Sequence, residues 1–218
     1  MTAAELTARP EAVRPQADHG IEVAVATGAA FAEGLRFCAE KYQAEYGASW
    51  ISEPDVLFVA RREGKIIATA GLEIGARRPR IDTERYFRLT PGMRGFIDRN
   101  RGRCGEFGRF SSNDRLGAQA VLHALISYCS QAGIEYLFAW ANPQVHAHGA
   151  KRLGVPFWAV DVPIDEQEVR GDVHWTSPPL RFFLREDHPR LMLAIIPFFD
   201  LVNERLAAAY GRPLDLTG

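Results

Sequence analysis

Residues 104–141 decide the order of elements. Cys104-Gly105-Glu106-Phe107-Gly108-Arg109-Phe110-Ser111-Ser112 reads as extended chain. From Leu116 to Ala132, Ala118, Val121, Leu122, Leu125, Ile126 and Cys129 recur at helical spacing, and Gly133 closes the run. Ile134-Glu135-Tyr136-Leu137-Phe138-Ala139-Trp140-Ala141 is then apolar on both faces, as a central buried strand is, and Asn142-Pro143 stops it. The reading is strand, covering helix, buried strand.

Working outward, Val56 to Arg62 and Lys65 to Glu73 are β-rich runs about Glu63-Gly64, a pair suited to a tight hairpin. Before them, Ile21 to Thr27 alternates as a half-buried strand does. Ala29 to Tyr46 places Phe31, Leu35, Cys38 and Tyr42 on one helical face and ends at Gly47, a natural C-cap. The stretch Ala76 to Gly102, crowded with arginine and broken by Pro79 and Pro91, predicts one or two short helices. Downstream, the pattern predicts a helix over Gln144–Leu153, a strand over Phe157–Val162, a polar loop over Ile164–Asp172, a strand over Leu180–Arg185, and a helix over Pro189–Tyr210 kinked at Pro197. This order predicts an α/β fold: three layers, α/β/α, around a central mixed, mostly antiparallel sheet. Residues 1–19 are expected to form a flexible tail and 20–187 the domain. Residues 188–218 are expected to form an apolar helix packed on the domain or at a homodimer interface.

Composition narrows the function. Apolar residues are 47% and charged residues 24% of the 218, so the chain is an ordinary folded domain, not a disordered or coiled-coil protein. Lys plus Arg number 26 against 27 for Asp plus Glu, a net charge of −1 that gives no bulk attraction for nucleic acid. Cys38, Cys104 and Cys129 are odd in number and far apart, which argues against a disulfide framework and for a cytoplasmic protein. No signal-peptide apolar block precedes Asp18, and Leu191–Phe199 is about half the ~20 residues that cross a bilayer, so no transmembrane segment is expected. His146 and His148 diverge by about 200° on a helix, poor geometry for one metal, and no metal site is expected. Nucleophile-elbow, Walker and dinucleotide motifs do not occur, which disfavours hydrolase, kinase and dehydrogenase readings.

Short motifs add a resemblance. Glu106, Arg109 and Phe110 resemble the Glu, two variable residues, Arg, Phe of a strand in acyl-homoserine lactone synthases, the autoinducer synthases. Leu35-Arg36-Phe37 with Glu40, Tyr42, Glu45 and Gly47 is similar to the opening helix of long-chain N-acyl amino acid synthases. Gly71-Leu72-Glu73-Ile74-Gly75-Ala76 followed by Glu84-Arg85-Tyr86-Phe87 looks like the thermostable hemolysin family. Phe138-Ala139-Trp140-Ala141-Asn142 with Arg152-Leu153-Gly154-Val155 fits all three. Together with the element order, these place the resemblance within the GCN5-related N-acyltransferase (GNAT) superfamily, over roughly Ile21 to Asp165. Gly71-Leu72 stands where lactone synthases usually carry Arg-Leu, and Trp50 falls later than their tryptophan.

The resemblance implies an acyltransferase with no tightly bound cofactor, moving an acyl group from acyl carrier protein or acyl-CoA to a small amine such as an amino acid or S-adenosylmethionine. Alternatives are an acetyl-CoA-dependent N-acetyltransferase and a hemolysin-like lipid-binding protein that works through the C-terminal apolar helix. Three residues apart on a strand, Glu106 and Arg109 should point to opposite faces of the sheet. Glu106 is the candidate general base and Arg109 its catalytic partner. Arg36 is a candidate for an acceptor carboxylate, Phe110 and Trp140 for an acyl channel, and Asn142 for the pantetheine arm. Ser111, Ser112, Arg115 and Gly117 fall where acetyltransferases of this fold cradle pyrophosphate. Asp114 in that loop opposes a phosphate, which favours a carrier-protein donor. The arginines of Arg77–Arg103 are candidates for docking an acidic carrier or are balanced by Asp82, Glu84 and Asp98.

Overall fold

The computed structural model describes residues 20–50, 52–143, 157–184 and 188–198. The chain opens with β1 (Ile21–Val25) and α1 (Gly28–Tyr46), then the hairpin of β2 (Val56–Arg62) and β3 (Lys65–Ile74). Glu63 and Gly64 turn that hairpin with φ of 51° and 76°, the left-handed pair a two-residue turn demands. The arginine-rich stretch forms α2 (Asp82–Tyr86) and α3 (Pro91–Asn100), flanked by 3₁₀ turns at Gly75–Arg77 and Arg101–Arg103. Then come β4 (Cys104–Ser112), α4 (Arg115–Gln131) and β5 (Tyr136–Ala141). The last described elements are β6 (Trp158–Val160), α5 (Glu166–Gly171), α6 (Leu180–Phe183) and β7 (Arg190–Ile195).

Among the described residues the strands form one sheet in the order β1-β2-β3-β4-β5-β7-β6. Every neighbouring pair is antiparallel except β4 with β5. Alternation on β2 sorts the layers. Val56, Phe58 and Ala60 join Val121, Leu122 and Leu125 of α4 in one core, while Leu57 and Val59 face α1 with Phe31 and Leu35 in another. Gly34 brings α1 close: a Cβ there would lie 2.8 Å from Val59 Cγ2 and 2.9 Å from Leu57 Cδ2. A second large core gathers Tyr86, Trp140, Trp175, Phe182 and Phe183 around the far half of the sheet.

Three downstream expectations are corrected. The run Arg190–Ile195 is not helical; it is β7, lying between β5 and β6. Leu191, Met192 and Ala194 are buried, and a strand covered on both faces is apolar at consecutive positions, a pattern that cannot be told from a buried helix. The apolar C-terminal helix expected over 188–218 is therefore a sheet strand at its start, and its remainder from 199 lies outside the described residues. Leu180–Arg185, expected as a strand, contains the helical turn α6. Phe182 and Phe183 are both buried in one core, which adjacent strand residues cannot do because they face opposite ways. The polar loop at Ile164–Asp172 holds α5, started by Asp165, whose carboxylate accepts from the backbone N–H groups of Gln167 and Glu168. The expected helix over Gln144–Leu153, with His146 and His148, lies outside the described residues, as does the expected tail.

Candidate active site

β4 and β5 run hydrogen-bonded from Cys104 and Tyr136 to Phe107 and Ala139, and their pairing stops there. β5 continues through Trp140 and Ala141 on β7, while β4 continues through Ser111 and Ser112 on β3. The two parallel strands thus part at Gly108 and Trp140. Asn142, at the end of β5 beside this opening, is buried, and its Oδ1 has no hydrogen-bond partner among the described residues.

Glu106 and Arg109 do not face opposite ways. Between Gly71↔Gly108 and Thr69↔Ser111, β4 holds Arg109 and Phe110 against the single Ala70 of β3, and Arg109 has φ 47°. This bulge inserts one extra residue and resets the alternation. Phe107 and Phe110 consequently share the face of the α4 core, with ring centroids 5.4 Å apart. Glu106 and Arg109 share the other face. Gly71 makes the room: a Cβ there would lie 3.0 Å from Arg109 Cβ and 3.2 Å from Pro54 Cβ.

The result is a buried charge cluster. Arg109, only 2% exposed, places NH1 2.9 Å from Glu73 Oε1 and 3.4 Å from Asp82 Oδ2, and its NH2 donates to Ser52 Oγ at 2.8 Å. Arg78 and Arg85 stand 3.7 Å and 3.6 Å from Glu73 and Asp82. Glu106, 1% exposed, accepts from the Thr83 backbone N–H at 2.7 Å and from Trp140 Nε1 at 2.6 Å. Among the described residues, Glu106 alone of the three carboxylates has no cation within ion-pair distance. Burial, then the nearby Asp82 and Glu73 carboxylates, push its pKa well above the ordinary glutamate value. Burial also raises Glu73, with Asp82 adding to it. Burial works against the charge of Arg109, but Asp82 and Glu73 outweigh it and hold the guanidinium's pKa above its usual value.

A cavity of about 160 Å³ opens beside Arg109, lined by Leu35, Arg36 and Cys38 of α1 and by Trp50 and Ser52. The Arg109 guanidinium carbon lies 4.9 Å from the Trp50 ring centroid, a cation–π contact. Trp50 in turn packs between Tyr42 and Trp175, with centroids at 4.3 Å and 4.4 Å.

The helix N-terminus at α4 is closed by the protein itself. Asp114 caps it, accepting from the Gly117 N–H at 2.8 Å, and pairs with Arg62 at 2.7 Å. Ser112 Oγ hydrogen-bonds within the same turn, and Ser111 donates to Cys38 Sγ on the other side of the strand. Arg115 is exposed. The arginines of Arg77–Arg103 are largely matched at home: Arg101 with Glu84 and Asp98, and Arg103 with Glu135, besides Arg78 and Arg85.

Of the residues singled out in the sequence, the structure brings Arg36 and Arg109 to one cavity, bonds Trp140 to Glu106 with Asn142 two residues further on, and sets Phe110 on the opposite face of the sheet. The sequence did not mark Glu73, Asp82, Trp50, Ser52 or Cys38 as members of the site. Glu73 carried a signal, a carboxylate in the apolar strand Ala68–Ile74. Asp82 carried none among its exposed-looking neighbours.

This architecture has known counterparts. FeeM, an N-acyl amino acid synthase from uncultured soil microbes, aligns with a TM-score of 0.53 at 12% identity over 81% of this chain and 91% of FeeM. The AHL synthase LasI aligns at 0.51 and 11% identity, over 81% and 90%. TofI in an apo form aligns at 0.53 and 14% identity, over 90% and 98%. The fold is that of the GCN5-related N-acyltransferases. No protein-family model and no curated protein sequence matches the chain. Among the described residues no helix is long and apolar enough to cross a membrane, and Cys38, Cys104 and Cys129 are free and buried.

Proposed function

We propose that this protein is an N-acyltransferase that moves an acyl group from a pantetheine thioester to the amine of a small acceptor. The observation that carries the reading is the parting of β4 from β5 after Phe107 and Ala139, with the orphaned Asn142 amide oxygen at its mouth, in a fold shared with an N-acyl amino acid synthase. A pantetheine arm entering there brings amide N–H groups, which suit that oxygen. It also continues the sheet, because among the described residues the β4-facing edge of β5 has no strand partner beyond Ala139. Backbone N–H groups on that edge are the donors for the thioester oxygen as it becomes an oxyanion.

In the reaction, the neutral acceptor amine attacks the thioester carbon to form a tetrahedral adduct, the adduct nitrogen gives up one proton, the C–S bond breaks to leave the amide, and the departing thiolate takes up a proton to become the thiol. Glu106 is assigned as the acceptor of the nitrogen's proton. Among the described residues it is the carboxylate of the cluster without a cation, and burial beside two other carboxylates makes it hold a proton more tightly than an ordinary glutamate, the direction a proton acceptor needs. Both its oxygens are occupied in the resting arrangement, so it works after one of the Thr83 or Trp140 bonds opens, or through a water.

The donor is assigned to acyl carrier protein over acyl-CoA. Where acetyltransferases of this fold offer free N–H groups to pyrophosphate, the Asp114 carboxylate already occupies Gly117 N–H and places negative charge. The lipid-binding reading loses its carrier, since the apolar segment Arg190–Ile195 is an internal strand.

The test incubates the purified protein with carrier-protein and CoA thioesters of short and long acyl chains and a pool of amines, measuring thiol release and product mass. Turnover with carrier-protein thioesters, lost in Glu106→Gln, supports the proposal. No turnover with any thioester overturns it.

A further inference from the structure

The one polar atom of the Trp140 side chain is directed at Glu106. Phe138 is the register partner of Glu106 on the parallel strand β5, and Trp140 lies two residues further on the same face, just past Ala139, where pairing with β4 ends. From there its Nε1–H donates to Glu106 Oε1 at 2.6 Å, while the Thr83 backbone N–H donates to Oε2 at 2.7 Å. A single donor leaves a glutamate carboxyl free to turn about its last torsion, whose preferences are broad. One donor on each oxygen fixes its plane.

The buried indole is itself held on several sides. Tyr86 of α2 and Phe182 of α6 meet it edge to face, with centroids at 5.8 Å and 5.2 Å, and Phe183 and Trp50 lie at 5.2 Å and 5.6 Å. A ring packed this way has its N–H direction set before any substrate arrives. Trp140 does not line the cavity beside Arg109.

An indole N–H and a backbone N–H donate and cannot accept. Neither can take the hydrogen of a protonated Glu106, so both favour the ionised carboxylate, against burial and the Asp82 and Glu73 carboxylates, which favour the acid. The charged and titratable groups on this side are Glu73 from β3, Asp82 and Tyr86 from α2, and Cys104 and Arg109 from β4, with Arg78 and Arg85 against Glu73 and Asp82. The aromatic rings of Phe138, Phe182 and Phe183 come from β5 and α6. Of the two donors to Glu106, Trp140 alone is a side chain.

Resting on the reading of Glu106 as the base of an acyltransferase, we infer that Trp140 is a positioning residue for that base, its indole N–H aiming the carboxylate and holding it ready to accept a proton, rather than a wall of an acyl channel.

The experiment removes the N–H in two ways. Trp140→Phe keeps a ring, and replacement of Trp140 by 3-benzothienylalanine keeps the whole bicycle and exchanges N–H for sulfur, which serves should the smaller ring fail to fold. Infrared difference spectra of the full chain from about pH 4 to about pH 10 follow the carbonyl stretch of protonated carboxyl groups. The Glu106 band is the one missing from Glu106→Gln. Loss of the N–H is expected to move the midpoint of that band up by about one pH unit, a roughly tenfold tighter proton. In acyl transfer the acidic limb of kcat/KM should rise by the same amount, whereas a ring that only fills space changes the rate at every pH alike. A midpoint and a limb that rise together support the inference. A midpoint unmoved in both replacements, or a Glu106 band that titrates in no protein tested, overturns it, and altered acyl-chain preference beside an unmoved midpoint returns Trp140 to the channel. A raised midpoint beside an unmoved limb sinks Glu106 as the base and the inference with it. A raised midpoint without turnover of any thioester sinks the acyltransferase reading and leaves the coupling of Trp140 to Glu106 standing.

Discussion

Glu73 and Glu106 stand directly opposite each other on β3 and β4, Cα partners in antiparallel register and both buried. Like charges so placed repel, and burial adds a desolvation penalty to each. Arg109 relieves Glu73 only because the bulge turns it to this face, and Glu106 is left to hydrogen bonds from Thr83 and Trp140.

Removing the cation exposes the cost of the cluster. Arg109→Met leaves Glu73 and Asp82 short of a buried partner, and breaking such a pair costs about 3–5 kcal/mol. Urea unfolding should show a loss of that order. Adding Glu73→Gln to Arg109→Met should return part of it, and a double variant no more stable than the single one would refute the pairing.

Stability should also depend on pH through Glu106. Its folded pKa lies above its unfolded value, so as pH climbs past the ordinary carboxylate range the unfolded chain releases this proton first. Stability contributed by this group is present at low pH and is lost as pH rises toward the folded pKa. Thermal melts of wild type and Glu106→Gln from about pH 5 to about pH 8 should show the shallower decline in the variant. Activity should move the other way in wild type, increasing with pH as Glu106 loses its proton and becomes a base.

Asp114 separates helix capping from donor choice. Asp114→Ser retains a capping oxygen for Gly117 N–H and removes the charge, so stability should change little, whereas Asp114→Ala should cost about 1 kcal/mol. If the carboxylate excludes pyrophosphate, Asp114→Ser should lower KM for acyl-CoA while leaving KM for the carrier-protein thioester unchanged. Equal shifts for both donors would count against that role.

Gly71 tests the bulge. Gly71→Val forces side-chain atoms onto Arg109 Cβ and Pro54 Cβ, and overpacking of this kind costs about 1–3 kcal/mol. Because Arg109 must move, the variant should also lose affinity for whatever binds the adjoining cavity. Destabilisation with unchanged ligand affinity would show that Arg109 reaches its partners without the space Gly71 provides.

Much of the fold is local and was legible as such. The Glu63-Gly64 hairpin, α1 with its Gly47 cap in the left-handed region, and α4 ending at Gly133 each rest on a period or a turn residue that acts within a few positions. β7 and α6 were not legible, because Arg190–Ile195 and Leu180–Phe183 are short apolar runs whose form depends on what covers them. The site divided along the same line. Glu106 and Arg109 stood out as charges in an apolar strand, but the face each takes depends on a bulge opposite Ala70, and strand periodicity alone gives the wrong one.

The amino-acid order alone therefore settled an α/β chain, a hairpin feeding strand, helix and strand, and the charged residues of β4, since backbone preferences and hydrophobic period act over short distances. Tertiary structure decided that Glu73, Asp82, Glu106 and Arg109 form one buried cluster, and that Trp50 and Ser52 meet Arg109 around a cavity. These partners come from separate segments, and only the pairing of β3 with β4 and the packing of α1 and α2 beside them bring their charges within reach.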